Sequence, residues 1–579
     1  MLEQRHQWKN KQLREHVAVV SGDRSPTLVL KNARFLHSVL KQWITANIWI
    51  YEDRIVYVGE EMPEKTNKAE VYDCSGKTLV PGYIEPHVHP FLLYNPHSFA
   101  EFAAKTGTTT CINDNLMLFL SLEEKKAFSL LEEFRSLPVS MYWWCRYDGQ
   151  TELANEEEVV SNAAVKSWIE HDAVLQGGEL TGWPRLLEGD DMMLHWIQET
   201  KRLRKRIEGH FPGASEKTLT KMALLGADSD HESMSGQDVY KRLLAGYMVS
   251  LRHSSIRPDL EVLLQEMKEM GLNQYDMMMF TTDGASPSFY EQGILDWMIA
   301  KAIEHDVPVI DAYHMASYNI AKYYRIDHLH GMIAPGRIAN INILQDEFHP
   351  SPISVLSKGQ WLKKEEVTAP FPQIEWEKFG FGPLMLDYSL EEDDLQFSMP
   401  FGMQLVNNVI TKPYSLERDM SGEEISAEDD ESFLVLLDRG GKWRVNTTLK
   451  GFTSKVSGLA SSFSNTGDII LIGKCKSEME RAFHRMKEIG GGIVLTENEE
   501  VIFEIPLELS GLMSTQPVEA LMKEESKLKE LLAERGYLYD DPLYTLLFLS
   551  STHLPYIRVT PQGMYDVMKK TVLFPTIMR

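Results

Sequence analysis

Residues 80–90 read VPGYIEPHVHP. His87 and His89 stand two apart at what reads as the end of a strand, and alternate residues of a strand point to one face. Two imidazoles side by side at a strand's C-terminal end can share one metal ion. Ordinary surface strands carry such pairs too, so the meaning of this one depends on what surrounds it.

Downstream, residues 81–330 alternate short apolar runs with longer helical stretches. DAVLQGGEL (172–180) is followed by a helix near MLHWIQETKRLRKRI (193–207). YMVSLRHSS (247–255) is followed by a helix near LEVLLQEMKEMG (260–271), and then YDMMMFTTDG (275–284). This alternation predicts βαβ units and a parallel sheet. A span of about 250 residues is the usual size of a (β/α)8 barrel.

Several residues able to carry chemistry end those apolar runs. Glu179 ends AVLQGGE, His210 ends KRIEGH, His231 and Glu232 sit in SDHES, and Asp283 ends YDMMMFTTD. Singly each has an ordinary explanation: a loop acid for Glu179, a capping residue for His210, an N-cap for Asp283. As an ordered set they match the way barrel enzymes take catalytic residues from several strand ends. Four imidazoles and two carboxylates suffice for two divalent ions, the carboxylates bridging or terminal, and two such ions can hold a hydroxide at neutral pH.

The flanks have a different texture. LVLKNARFLHS, TANIWIYEDRIVYVG and EVYDCSGKTLVPG, within residues 28–82, read as short strands rich in Val, Ile and Tyr. The same texture returns over 331–361. One β unit assembled from both sides of the barrel is expected. Residues 362–430 are acidic and irregular, including SGEEISAEDDES, and read as linker. From residue 431 a third unit reads as α+β, with strands DIILIGKC and GGIVLTENEEVIFEIP, helices SEMERAFHRMKEI and VEALMKEESKLKELLAERG, and a helical tail. The expected architecture is α/β: a TIM-like barrel (81–330), a small β-sandwich built from 1–80 and the return at 331–430, and a C-terminal α+β domain (431–579).

Composition narrows the function classes. The formal charge of −25 argues against a nucleic-acid surface, which needs a basic stripe. No run of about 18 apolar residues predicts a membrane span. The N-terminus MLEQRHQWKNKQLREH lacks the apolar core of a signal peptide, so a cytoplasmic location is expected. Cys74, Cys111, Cys145 and Cys475 are scattered, which argues against a disulfide framework or a zinc knuckle. The H-x-E with P-C-x-x-C signature of zinc nucleobase deaminases is absent.

With these residues in place, the chain resembles the adenine deaminase family of the metal-dependent amidohydrolase superfamily along nearly its whole length. VPGYIEPHVHP is similar to the family's Pro-Gly-Phe-Ile-Asp-x-His-x-His opening. VLQGGELTGWP, EGH at 208–210, SDHE at 229–232 and TTDG at 281–284 resemble its later strand ends, and APGRIANINIL its return to the β unit. GGGIVLTENEEV, IPLELSGLMS and DDPLYTLLFLS resemble its C-terminal domain. The resemblance implies His87, His89, Glu179, His210, His231 and Asp283 as metal ligands, with Glu179 bridging. It implies that Asp283 takes a proton from the attacking hydroxide and that Glu232 protonates a ring nitrogen. The implied reaction is hydrolytic deamination of adenine to hypoxanthine and ammonia by a metal-activated hydroxide, with two ions, manganese or iron favoured and zinc also fitting. A small-molecule substrate and a homo-oligomer are implied; no substrate-binding residue is assigned.

Three positions depart from the family pattern. Phe91 stands where the family has a glutamate two places after the second histidine. TTTCINDNL offers Asn113, Asp114 and Asn115 where the family has Asp-Pro-His-Glu. Ser461 to Asp468 replace a His-Asp-Ser-His-Asn segment. These differences leave open an amidohydrolase acting on another purine, a cyclic amidine or a cyclic amide, and a non-catalytic relative.

Overall fold

The computed structural model describes residues 9–153 and 156–579. Residues 1–8, part of the polar N-terminus read above, lie outside the described residues.

Eight parallel strands form the centre, in unbroken order along the chain. They are β1 (Tyr83–Val88), β2 (Thr108–Asp114), β3 (Ser140–Cys145), β4 (Val174–Leu180), β5 (Arg206–Gly209), β6 (Ser229–Asp230), β7 (Met248–Arg252) and β8 (Met278–Thr281). Every residue of β1, β2 and β3 is buried. Parallel strands covered on both faces need such continuous burial, which explains their apolar runs. The seam between β8 and β1 is joined by side chains. Thr281 Oγ1 lies 2.7 Å from Glu85 Oε1 and 2.8 Å from the His87 carbonyl oxygen, and Thr282 N donates to Glu85 Oε2 at 3.1 Å.

Helices cover the outside. α1 (Asp191–Arg202) starts at Asp190, whose side chain accepts from Met193 N, and buries Met193, Trp196 and Ile197. α2 (Leu260–Met270) buries Leu260, Leu263, Leu264 and Met267 and stops at Gly271, whose φ of 70° suits a residue without Cβ. Each such large apolar side chain contributes about 1.5–3 kcal/mol by leaving water.

The flanks hydrogen-bond into one nine-stranded sheet. Ile341–Leu344 runs antiparallel to Thr78–Pro81, with Ile341 opposite Pro81, so the chain leaving the barrel pairs with the chain entering it. Leu30, Phe35 and Ile48 from the first flank share one core with Ile341 and Leu356 from the second.

The C-terminal sheet also has nine strands, and Lys476–Glu488 packs Met479, Ala482, Phe483 and Met486 onto it. Two expectations are corrected here. The stretch 362–430 is not linker throughout: Phe401–Leu405 and Thr411–Ser415 pair with each other, and the former runs parallel to Trp443–Lys450. Their signal is masked by the acidic run after them and by Pro413, which an edge strand tolerates. The tail is not all helical either. After Val518–Glu534 and Pro542–Phe548 comes a three-stranded sheet of Ile557–Thr560, Gly563–Asp566 and Thr571–Pro575. Strands of four or five residues are too short for alternation to stand out. Among the described residues no helix is long and apolar enough to cross a membrane.

Candidate active site

The six residues expected as ligands meet at the C-terminal end of the barrel. β1 brings His87 and His89, whose Nε2 atoms face each other at 3.3 Å. Asp283, just past β8, sets Oδ1 3.0 Å from His87 Nε2 and 3.2 Å from His89 Nε2. Its φ is 55°, and Asp283 N donates to Thr281 Oγ1 at 3.0 Å, which helps hold this uncommon backbone shape. Past β5 and β6, His210 Nδ1 and His231 Nε2 stand 3.3 Å apart.

Glu179 lies between the two pairs. Its Oε1 is 2.6 Å from His210 Nδ1 and 3.4 Å from His231 Nε2. Its Oε2 is 3.9 Å from His87 Nε2 and 3.7 Å from His89 Nε2. One carboxylate thus addresses both pairs, one oxygen to each. His87, Glu179, His231 and Asp283 each offer a donor atom within 4.8 Å of the others, and His210, His231 and Glu232 form a second such group. Two imidazole nitrogens facing at 3.3 Å need a cation or a shared proton between them. The donor set therefore fits divalent metal, and imidazole with carboxylate suits manganese, iron or zinc.

Buried partners hold these donors. Asp114 Oδ2 lies 2.7 Å from His89 Nδ1 and 2.6 Å from Arg146 Nη2. Burial opposes ionisation of Asp114, but Arg146 and His89 bring it down to about 2. Arg146 Nη2 is also 2.8 Å from Glu179 Oε2. Glu208 Oε1 is 3.1 Å from His231 Nδ1, and its Oε2 is 3.3 Å from His87 Nδ1. Burial alone pushes Glu85, under the seam, up to about 7 against the hydrogen bonds from Thr281, His87 N and Thr282.

Glu232 is gripped by Arg252 Nη1 at Oε1 and, at 2.8 Å, by Arg257 Nη1 at Oε2. Burial opposes its charge, but Arg252, the histidines and Arg257 hold it well below the usual carboxylate range. The two arginines thus favour the ionised form of Glu232. Arg252 Nη2 also meets Asp283 Oδ2 at 2.7 Å, so one guanidinium links Glu232 and Asp283.

The departures from the family pattern have definite places. Phe91 is buried, its ring edge-on to His89 with centroids 5.7 Å apart. Asp114 bonds His89, as above. Ser462 Oγ bonds to the Gly511 carbonyl and Ser464 Oγ to the Asp468 carbonyl, so these hydroxyls serve the C-terminal unit's own loops. That unit reaches the barrel mouth through other residues. Tyr544 Oη donates to the carbonyl of Gly284, next to Asp283, at 3.0 Å, and the His553 ring stands edge-on to His210 at 5.8 Å.

The sequence reading passed over Glu208, Arg146, Arg252 and Arg257. Arg146 and Arg252 end apolar runs as Glu179 does, and Glu208 shares a strand face with His210, so a strand-end signal was present for three of them. Arg257 lies in a loop and carries no such mark.

The barrel, the return strands and this donor set define an amidohydrolase. Residues 78–362 match the amidohydrolase family, and residues 408–571 match the adenine deaminase C-terminal domain. "Putative adenine deaminase YerA" of Bacillus subtilis is 56% identical over 100% of both chains. "Adenine deaminase" of Oceanobacillus iheyensis is 26% identical, covering 96% of this chain and 97% of its own. A solved structure described as "Crystal structure of an adenine deaminase" aligns at TM-score 0.46 and 16% identity, over 59% of this chain and 100% of that one. The chain belongs to the adenine deaminase family of amidohydrolases.

Proposed function

We propose that this enzyme hydrolyses adenine to hypoxanthine and ammonia, with two divalent ions held by His87, His89, Glu179, His210, His231 and Asp283. The observation that carries the reading is Glu179, whose two oxygens are divided between two histidine pairs. Relatives named for adenine deamination, similar end to end, support the substrate. Bound ions supply Lewis-acid polarisation and an activated water at neutral pH.

The chain's own residues orient and move protons. Asp283 Oδ1 faces the centre while Arg252 holds Oδ2, so Oδ1 is placed to take a proton from the attacking water. Glu232, ionised between two arginines, takes up a proton and relays it to the ring nitrogen beside the reacting carbon. The water oxygen stays on that carbon, one of its protons ends on the ring nitrogen, and the other leaves with ammonia. Trp144, buried with its ring 4.3 Å from that of His87, keeps solvent from the inner side.

Manganese or iron is the favoured ion and zinc the alternative. A homo-oligomer in the cytoplasm, serving purine metabolism, completes the proposal; four free thiols suit a reducing compartment. A second reading, hydrolysis of another purine, a cyclic amidine or a cyclic amide by the same residues, is favoured by one observation. Phe91 presents an apolar ring beside His89 where a polar group could read a base edge. Reaction of adenine in ¹⁸O-water separates the two. The proposal expects labelled hypoxanthine and stoichiometric ammonia; ammonia from another heterocycle and none from adenine would favour the second reading.

A further inference from the structure

Glu208 is fully buried and holds no place in the ligand set. It lies two residues before His210 on the strand that leads into the site. Its oxygens meet the far edges of two rings: Oε1 is hydrogen-bonded to His231 Nδ1 at 3.1 Å, and Oε2 lies 3.3 Å from His87 Nδ1, close enough for charge attraction but outside hydrogen-bond geometry. Those two rings belong to different pairs: His87 stands with His89, and His231 with His210. The carboxylate is itself held. Gln176 Nε2 donates to Glu208 Oε2 at 3.1 Å, and Tyr324 Oη donates to Gln176 Oε1 at 2.7 Å.

We propose that Glu208 is a positioning residue that sets both metal half-sites at once. The inference rests on the two-ion reading above. An anionic carboxylate facing both Nδ1 edges favours a proton on Nδ1 of each imidazole, through a hydrogen bond at His231 and through charge attraction at His87. The two Nε2 lone pairs then face the centre, in the tautomer that can bind a cation. Glu179 joins the half-sites at Nε2 of both rings, and Glu208 joins them through Nδ1 of the same rings. Asp114 does the same service for His89 alone, so its influence should stay within one half-site.

Titration of metal-stripped protein with Zn²⁺, reading stoichiometry and affinity against a competing chelator, tests this without substrate. Wild type should take up two equivalents. Asp114→Asn should weaken one of them about 10–100-fold, the usual effect of losing an outer partner of a ligand. Glu208→Leu should weaken both by a similar factor. Glu208→Gln keeps one acceptor but turns a donor towards the other ring, so it should weaken one ion only. The Gln variant is isosteric and carries the test if the Leu variant fails to fold, as judged by thermal melts of the stripped proteins. Glu208→Gln holding two ions with wild-type affinity, or a folded Glu208→Leu weakening only one, would overturn the proposal. Wild type binding fewer than two ions overturns the two-ion reading and this inference together. Wild type binding two ions but releasing no ammonia from adenine overturns the substrate alone.

Discussion

Asp283 turns one oxygen to His87 and His89, and Arg252 holds the other; in the proposed mechanism the first oxygen must stay ionised to take a proton. Replacing Asp283 by asparagine removes the proton acceptor while keeping the shape. Asp283→Asn should therefore lower kcat about 10²–10⁴-fold, the typical worth of a general base, with a much smaller change in KM. Steady-state kinetics of ion-loaded protein checks this. Arg252→Met tests the neighbouring guanidinium. Breaking a buried ion pair from one side costs about 3–5 kcal/mol, because the abandoned carboxylates remain buried. Chemical denaturation of metal-stripped protein should show that loss, and ion loading should shrink it by giving Asp283 a new counter-charge. These two residues also mark how far the site was legible. Asp283 declared itself as an acid after an apolar run. Arg252 ended a run as well, but an arginine is no metal ligand, so its role emerged only when Glu232 and Asp283 were brought to its two nitrogens.

At the scale of elements, the barrel strands were readable because burial on both faces demands continuous apolar sequence. β6, only Ser229–Asp230, has no such run and was betrayed by the SDHE that spans it. The Glu85–Thr281 closure joins residues almost two hundred positions apart, and no local pattern encodes it. Helix Pro96–Lys105 shows a similar long-range dependence. Asn95 Oδ1 accepts from His97 N and Ser98 N, while Asn95 Nδ2 reaches the Ser514 carbonyl at 2.7 Å. Asn95→Ala should cost about 1–2 kcal/mol from the lost cap, with a further loss of about 1 kcal/mol from the lost contact, measured by urea denaturation. The loop before Ile469–Gly473 supplies a pH test. Burial pushes Asp468 up to about 6. Because the folded value lies above the unfolded one, the native state binds the extra proton between about pH 4 and 6. Stability from this group is complete below about pH 4 and lost as pH rises through about 6. Asp468→Asn should therefore stabilise the protein by about 2–3 kcal/mol at about pH 8 and by little at about pH 4, as read by melts at both values.

Across the whole molecule, the C-terminal unit holds the loops that carry His89 and Asp283. Ser514 N donates to the carbonyl of Leu93, in the loop just beyond His89, at 2.6 Å, and Tyr544 grips Gly284 beside Asp283. The sequence showed that this unit exists and what it resembles; its grip on the loops after β1 and β8 is set by tertiary contact and has no sequence pattern of its own. The same holds for the strands at 401–415, which acquire meaning only against Trp443–Lys450. Metal-dependent hydrolysis of adenine at the Glu179 centre is the function proposed above. The most direct test is one assay: hypoxanthine and ammonia formed from adenine by chelator-stripped protein, before and after loading with Mn²⁺, Fe²⁺ or Zn²⁺, beside Glu179→Gln treated alike. Stripped wild type should show no turnover, loading should restore it, and the loaded variant should show none. Loaded wild type that binds its ions yet leaves adenine unchanged would contradict the proposed function.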